Sequence, residues 1–186
     1  MVGKNNCINV GRKVIQLLDF YNCLFDNLLK RKSINRNQTE GDVIVQKVLF
    51  VCTHNSARSQ MAETFLNDLG RGRFVAESAG LEKGELNPVA VEAMAELGYD
   101  ISHNQTDSVF DFFIEGRKYD LVIKVCDQSS AQQCPIFPGA KISWNWDFRD
   151  PSSFTGSHEE RLKQTRAVRD AIKTRIEEFL RVVIPG

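Results

Sequence analysis

Several absences narrow the field before any motif is read. The 186-residue chain has no uninterrupted apolar run near the ~20 residues a membrane-crossing helix needs. Charges interrupt its N-terminal apolar positions, so no secretory leader is expected. Its charge has no sign, with 24 Lys plus Arg against 24 Asp plus Glu, so nothing draws the whole molecule to nucleic acid or a membrane surface. It has no Cys-x2-Cys pair, and His54, His103 and His158 are scattered, which disfavours a zinc-type site. There are no internal repeats and no low-complexity segments. Five cysteines remain, and in a chain of cytoplasmic character they suggest catalytic or redox thiols and not a disulfide framework. A hydrophobic content of 42% and a charged content of 26% fit one soluble domain with an appendage.

What is present concentrates in Val48-Leu49-Phe50-Val51-Cys52-Thr53-His54-Asn55-Ser56-Ala57-Arg58-Ser59. An apolar run leads to a cysteine, an arginine follows after five residues, and then comes a helical pattern, Gln60-Met61-Ala62-Glu63-Thr64-Phe65-Leu66. This reads as a buried strand, a loop and a helix N-terminus. The first N–H groups of a helix lack internal partners, and the macrodipole adds positive potential there. Successive loop N–H groups deepen the cradle. Thr53, His54, Asn55, Ser56, Ala57 and Arg58 are therefore the candidate oxyanion-binding residues, with Arg58 supplying a planar fork. Cys52 is the candidate nucleophile, because the field that binds an anion also favours a thiolate. The alternative is a buried cysteine at a strand end with no chemistry.

From residue 47 onward strands and helices alternate. Strands are expected at 48–51, 73–77 and 119–125, with a shorter one at 141–144. Helices are expected from Arg58 to near Gly70, from the cap Asn87-Pro88 to Gly98, around Phe110, Phe112, Phe113 and Ile114, and from the capping box Ser157-x-x-Glu160 to about Val183. The pattern predicts a three-layer α/β fold, a four-stranded parallel sheet with helices on both faces. Its ligand belongs at the carboxyl ends of the strands, where Cys52 and Cys126 both fall. Residues 1–46 read as an N-terminal helical extension, and 47–186 as the domain. Val10, Val14, Leu17, Leu18, Tyr21, Leu24, Phe25 and Leu28 recur at helical spacing, giving an amphipathic helix over roughly 10–31 and then a linker. Such a helix packs on the core domain, on another subunit or on a membrane surface. Cys7 and Cys23 lie here and receive no role.

Cys52-x-x-Asn55-x-x-Arg58-Ser59 after an apolar strand resembles the signature of the low-molecular-weight tyrosine phosphatase superfamily. The fuller form Cys-Thr-His-Asn-Ser-Ala-Arg-Ser-Gln-Met-Ala-Glu resembles its thioredoxin-coupled arsenate reductase branch, over about residues 47–184. That resemblance implies a fold, a substrate and a set of roles. Arsenate would bind in the loop, Asn55 would hold the loop's shape, and Ser59 would donate to the Cys52 thiolate. Asp150, before Pro151, would be the general acid; the plainer reading is ordinary turn chemistry. Phosphatases of this fold carry aromatic residues beside the Asp-Pro, and Ser152-Ser153 stand there instead, which disfavours phosphotyrosine.

Cys126 and Cys134 flank the polar segment Asp127-Gln128-Ser129-Ser130-Ala131-Gln132-Gln133. They are either unrelated thiols or, as the resemblance implies, a redox pair. The implied relay runs from Cys52 through Cys126 to Cys134, with thioredoxin or a similar dithiol protein as external reductant and no other required cofactor. Asn55, Glu63, Ser78 and Asp107 fall where some arsenate reductases bind a potassium ion; surface or capping roles explain the last three equally well. Two rival functions share these residues: a phosphate-ester hydrolase, and a non-enzymatic oxyanion or redox sensor.

Overall fold

The computed structural model describes residues 45–127, 137 and 140–184. Of these, residues 45–180 belong to one compact unit. The expected N-terminal helix, with Cys7 and Cys23, and also Cys134 lie outside the described residues.

Four strands form one sheet: β1 Gln46–Cys52, β2 Phe74–Gly80, β3 Leu121–Lys124 and β4 Ile142–Asn145. Their spatial order is β2-β1-β3-β4, and every neighbouring pair is parallel. β1 is central, and from Val48 onward it is buried throughout, because a strand covered on both faces can carry apolar residues at consecutive positions. The helices are α1 Arg58–Leu69, α2 Pro88–Ala95, α3 Val109–Ile114 and α4 His158–Val183. Alternate residues of β2 show both sheet faces in use. The Phe74 ring packs against Phe179 of α4, whereas Glu77, on the opposite face, meets Arg117 and Tyr119 just beyond α3.

The chain steps from β1 to β2 in one direction and then crosses back over β1 to β3. That reversal leaves a crevice beyond the carboxyl ends of β1 and β3. Cys52 ends β1, and Cys126 lies two residues past β3. The local signals act as expected at the caps. Asn87 Oδ1 accepts from Val89 and Ala90 N–H at the start of α2. Ser157 and Glu160 make the reciprocal pair of a capping box before α4.

Several boundaries differ from expectation. β1 begins at Gln46 and not 48, β2 runs on past 77 to Gly80, α2 stops at Ala95 short of Gly98, and β3 is shorter than 119–125. The small residues that look like punctuation in β2 instead allow close approach to the cradle. At the end of β3, Val125 N–H still bonds Val51 O at 2.8 Å, but the ladder stops there.

Phe179 anchors α4 by meeting Phe74, Trp144 and Trp146, with ring centroids 5.4 to 6.1 Å apart. Phe179→Ala should lower unfolding stability by about 3–5 kcal/mol, read as an earlier urea midpoint at unchanged m-value.

Candidate active site

The loop from Cys52 to Arg58 is shaped from outside. Leu81 N–H donates to Cys52 O, Glu82 to Thr53 O, Gly84 to His54 O and Asn87 to Ser56 O, all at 2.9–3.1 Å. A planar trans peptide points its C=O and the following N–H in opposite directions. Holding four carbonyls outward therefore turns the N–H groups of residues 53, 54, 55 and 57 toward the loop's interior, which makes a nest for an anion. Gly80 is required for this approach: a Cβ there would lie 2.4 Å from Glu82 O and 2.7 Å from Asn55 N. Asn55 has φ 53°, in the left-handed region that asparagine tolerates better than most residues.

Cys52 is buried, and its Sγ accepts from Asn55 N–H at 3.2 Å and lies 3.0 Å from Ser59 Oγ. The Asn55 carboxamide is fully used. Its Nδ2 donates to Ser59 Oγ and Ser78 Oγ, both at 2.8 Å, and its Oδ1 accepts from Gln60 Nε2 and Asp107 N. Helix α1 has Ala57 at its N-cap, so no side chain caps it, and it has no acidic residue in its first turn. Its first N–H groups are thus not spoken for by a competing side-chain oxygen.

Arg58 is 1% exposed. Its Nη1 donates to Phe148 O at 3.1 Å and its Nη2 to Asp150 Oδ2 at 2.8 Å, while Asp127 Oδ2 stands 3.8 Å from Nη1. Its Nε is buried with no hydrogen-bond partner among the described residues. Asp150 serves both readings made from sequence. Its Oδ1 accepts from Ser152 N–H and so caps the short 3-10 turn Pro151–Ser153, while its Oδ2 faces the arginine. Cys126 is fully buried, and its thiol donates to Val51 O at 3.8 Å, on the strand that ends at Cys52. The fold thus gathers Cys52, Arg58, Ser59, Cys126 and Asp150 at one crevice. His54 points to solvent.

Glu63, Ser78 and Asp107 line a polar pocket of about 230 Å³ together with Gln60, Glu77, Asn104, Gln105, Phe112 and Arg117. Burial pushes the Glu63 carboxyl up to about 7, and the Glu77 and Asp107 carboxylates add to it, against a lowering hydrogen bond from Ser78. Asn55 is not among the residues lining this pocket, and its Oδ1 accepts from Gln60 and Asp107. Sequence reasoning missed Gln60, which ties α1 to the loop at Asn104 and Gln105, and also missed the outer strap 81–87 and Asp127. Only the polar residue inside a buried helical turn and the closely spaced glycines, Gly80 and Gly84, hinted at the first two.

A parallel four-stranded sheet with a cysteine, a loop of inward N–H groups and a buried arginine at the end of its central strand defines an α/β protein of the low-molecular-weight phosphatase class. The low molecular weight phosphotyrosine protein phosphatase family matches residues 47–184, and the chain belongs to that family. It is 41% identical over 132 residues to the arsenate reductase of Bacillus subtilis (strain 168), spanning 71% of this chain and 93% of that one. It is 35% identical over 136 residues to the glutaredoxin arsenate reductase of Synechocystis sp. (strain ATCC 27184 / PCC 6803 / Kazusa), spanning 73% and 97%. A solved arsenate reductase in its phosphate-binding state superposes with TM-score 0.60 at 34% identity, over 75% of this chain and 99% of that one.

The Glu63 carboxyl yields a pH prediction. Its folded value, about 7, lies above the ordinary 4.5, so its contribution to stability is full below 4.5 and is lost as pH rises through 7. Thermal melts from pH 5 to 8 should show that loss, on the order of 1–3 kcal/mol, and Glu63→Gln should flatten it. Gly80→Ala should fold less stably and bind phosphate far more weakly, read by calorimetry, because its new methyl group meets backbone and not a movable side chain.

Proposed function

We propose that this chain reduces arsenate to arsenite. The observation that carries the reading is the buried Cys126 thiol bonded to the backbone of β1, the strand that presents Cys52. A phosphatase needs Cys52, Arg58 and Asp150, but has no use for a second thiol there. The names of the relatives point the same way. Arg58 Nε, the inward N–H groups and the uncapped α1 are the donors an arsenate would take.

In this mechanism the Cys52 thiolate attacks arsenic and a hydroxyl departs, protonated by Asp150. Cys126 then attacks Cys52 Sγ, the arsenic–sulfur electron pair stays on arsenic, and arsenite leaves. Two thiols have supplied the two electrons, and a disulfide joins Cys52 to Cys126. Cys134 next attacks Cys126, freeing Cys52, and thioredoxin, glutaredoxin or a similar dithiol protein reduces the pair that results. Each exchange is a thiolate displacing a thiolate, so access and geometry govern its rate. No helix among the described residues is long and apolar enough to cross a membrane.

The potassium expectation also belongs to this proposal. Asn55, Glu63, Ser78 and Asp107 would hold the ion; burial is what chiefly lifts Glu63, and the neighbouring Glu77 and Asp107 carboxylates supply negative charge that a cation would offset. The ion would supply positive charge behind Asn55. Potassium chloride should raise the melting temperature at pH 8 more than choline chloride does.

The relay is tested by trapping it. Cys52→Ser should abolish turnover. Cys134→Ser should give about one arsenite per protein and stall with Cys52 joined to Cys126, as read by mass spectrometry of alkylated protein. Repeated thioredoxin-coupled turnover by Cys134→Ser would sink the three-cysteine scheme, and ester hydrolysis indifferent to Cys126→Ser would favour the phosphatase.

A further inference from the structure

The polar pocket beside the cradle already holds a cation of the protein's own. Three carboxyl groups line it, Glu63, Glu77 and Asp107, and so does Arg117. Three carboxylates with neutral oxygens around them are a ligand set that suits a divalent cation such as calcium. Among the described residues, however, no three acidic side chains converge as metal ligands. Glu77 has both of its oxygens engaged. Its Oε1 accepts from Arg117 Nη1 at 2.6 Å, and its Oε2 accepts from the hydroxyl of buried Tyr119 at 2.7 Å. Arg117 is fixed on two further sides. Its Nε donates to Glu115 Oε2 at 2.7 Å, and its guanidinium lies over the Phe112 ring, 3.8 Å from the centroid. It cannot swing away from Glu77 without giving up these contacts together.

The clamp changes what the pocket can accept. Arg117 offsets the charge of Glu77, and the guanidinium and phenol occupy its two oxygens. Glu63, Asp107 and neutral groups such as Ser78 are left for an ion. A fixed positive charge repels an entering cation in proportion to that cation's own charge, so a divalent ion meets twice the repulsion of a monovalent one. It also loses a carboxylate that a monovalent ion does not need. We propose that Arg117, clamped on Glu77 together with Tyr119, sets the ionic selectivity of this pocket: a monovalent cation is admitted and divalent ones are barred. The inference deepens the potassium reading and rests on it for the ion that enters; the exclusion of divalent ions rests on the clamp. Glu77, Arg117 and Tyr119 all lie outside the set of four residues that the resemblance implies for potassium. The charge beside the cradle then stays independent of the divalent-ion concentration.

The test reads ion binding by the reduced full-length protein and not its turnover. Melting temperatures are measured at pH 8 in potassium, calcium and choline chloride at equal ionic strength, and calcium binding is followed by calorimetry. The wild-type protein should be stabilised by potassium beyond choline, and by calcium no more than by choline. Arg117→Gln returns to Glu77 its charge and one oxygen. It should gain stabilisation from calcium and bind it at least about tenfold more tightly than the wild type, the scale on which ligand charge tunes such sites. Adding Glu77→Gln to that variant should remove the gain, and Arg117→Lys, which keeps the charge, should exclude calcium as the wild type does. Calcium that stabilises the wild-type protein as potassium does overturns the proposal, and so does a folded Arg117→Gln protein that gains nothing from calcium. Absence of a potassium effect in the wild type overturns the potassium reading, and the calcium gain of Arg117→Gln still decides the clamp. If Arg117→Gln does not fold, calcium binding by the wild type or by Arg117→Lys remains the result that overturns it.

Discussion

Everything at this site depends on four carbonyls facing the wrong way for an anion. Cys52, Thr53, His54 and Ser56 turn their oxygens outward because residues 81 to 87 pass alongside and donate to them. The cradle's N–H groups point inward as a geometric consequence. Left to itself, a loop of this length would scatter its peptide planes and satisfy them with water. The strap comes from the end of β2, so the sheet's own register fixes how close it comes, and Gly80 leaves the space. Asn55 completes the arrangement from within. One carboxamide joins the loop to α1 through Ser59 and Gln60, to β2 through Ser78 and to the segment before α3 through Asp107. Its left-handed backbone is a strain of order 1 kcal/mol, held by the four hydrogen bonds of its carboxamide.

The second constraint is a buried positive charge. A guanidinium this deep is unstable unless it is paired and hydrogen-bonded. Phe148 O and Asp150 meet part of the need, and Asp127 adds a looser share. This leaves Nε unmatched by any described residue. An arginine wholly satisfied by protein would have nothing to offer a ligand; one wholly unsatisfied would not stay buried. The intermediate condition is what a binding site requires, and it links three separate elements, α1, the end of β3 and the segment after β4.

Sequence alone made the fold and the centre of the site legible, for physical reasons. An apolar run buried on both faces cannot be other than a central parallel strand once helices flank it, so β1 and its neighbours were readable. Cys52 and Arg58 were readable because strand, loop and helix compress their geometry into consecutive residues. The boundaries of β2 and β3 were not, because Ser78, Ala79 and Gly80 carry turn composition but are recruited by tertiary packing against the cradle. Nor was the use of Asn55, whose amide oxygen accepts from Gln60 and Asp107. Contacts such as Asp127 with Arg58 join distant parts of the chain, and no periodicity or spacing records them.

The same scaffold can serve hydrolysis or reduction, and the topology explains how little separates the two. Either reaction begins with a thiolate under a bound oxyanion and passes through a covalent adduct on sulfur. Water resolves the adduct in a hydrolase; a second thiol must resolve it in a reductase. In a sheet ordered β2-β1-β3-β4, the residues just past β3 fall beside the end of β1 whatever their identity. A thiol at position 126 is therefore carried to the nucleophile's strand by the fold itself, with no new loop to build.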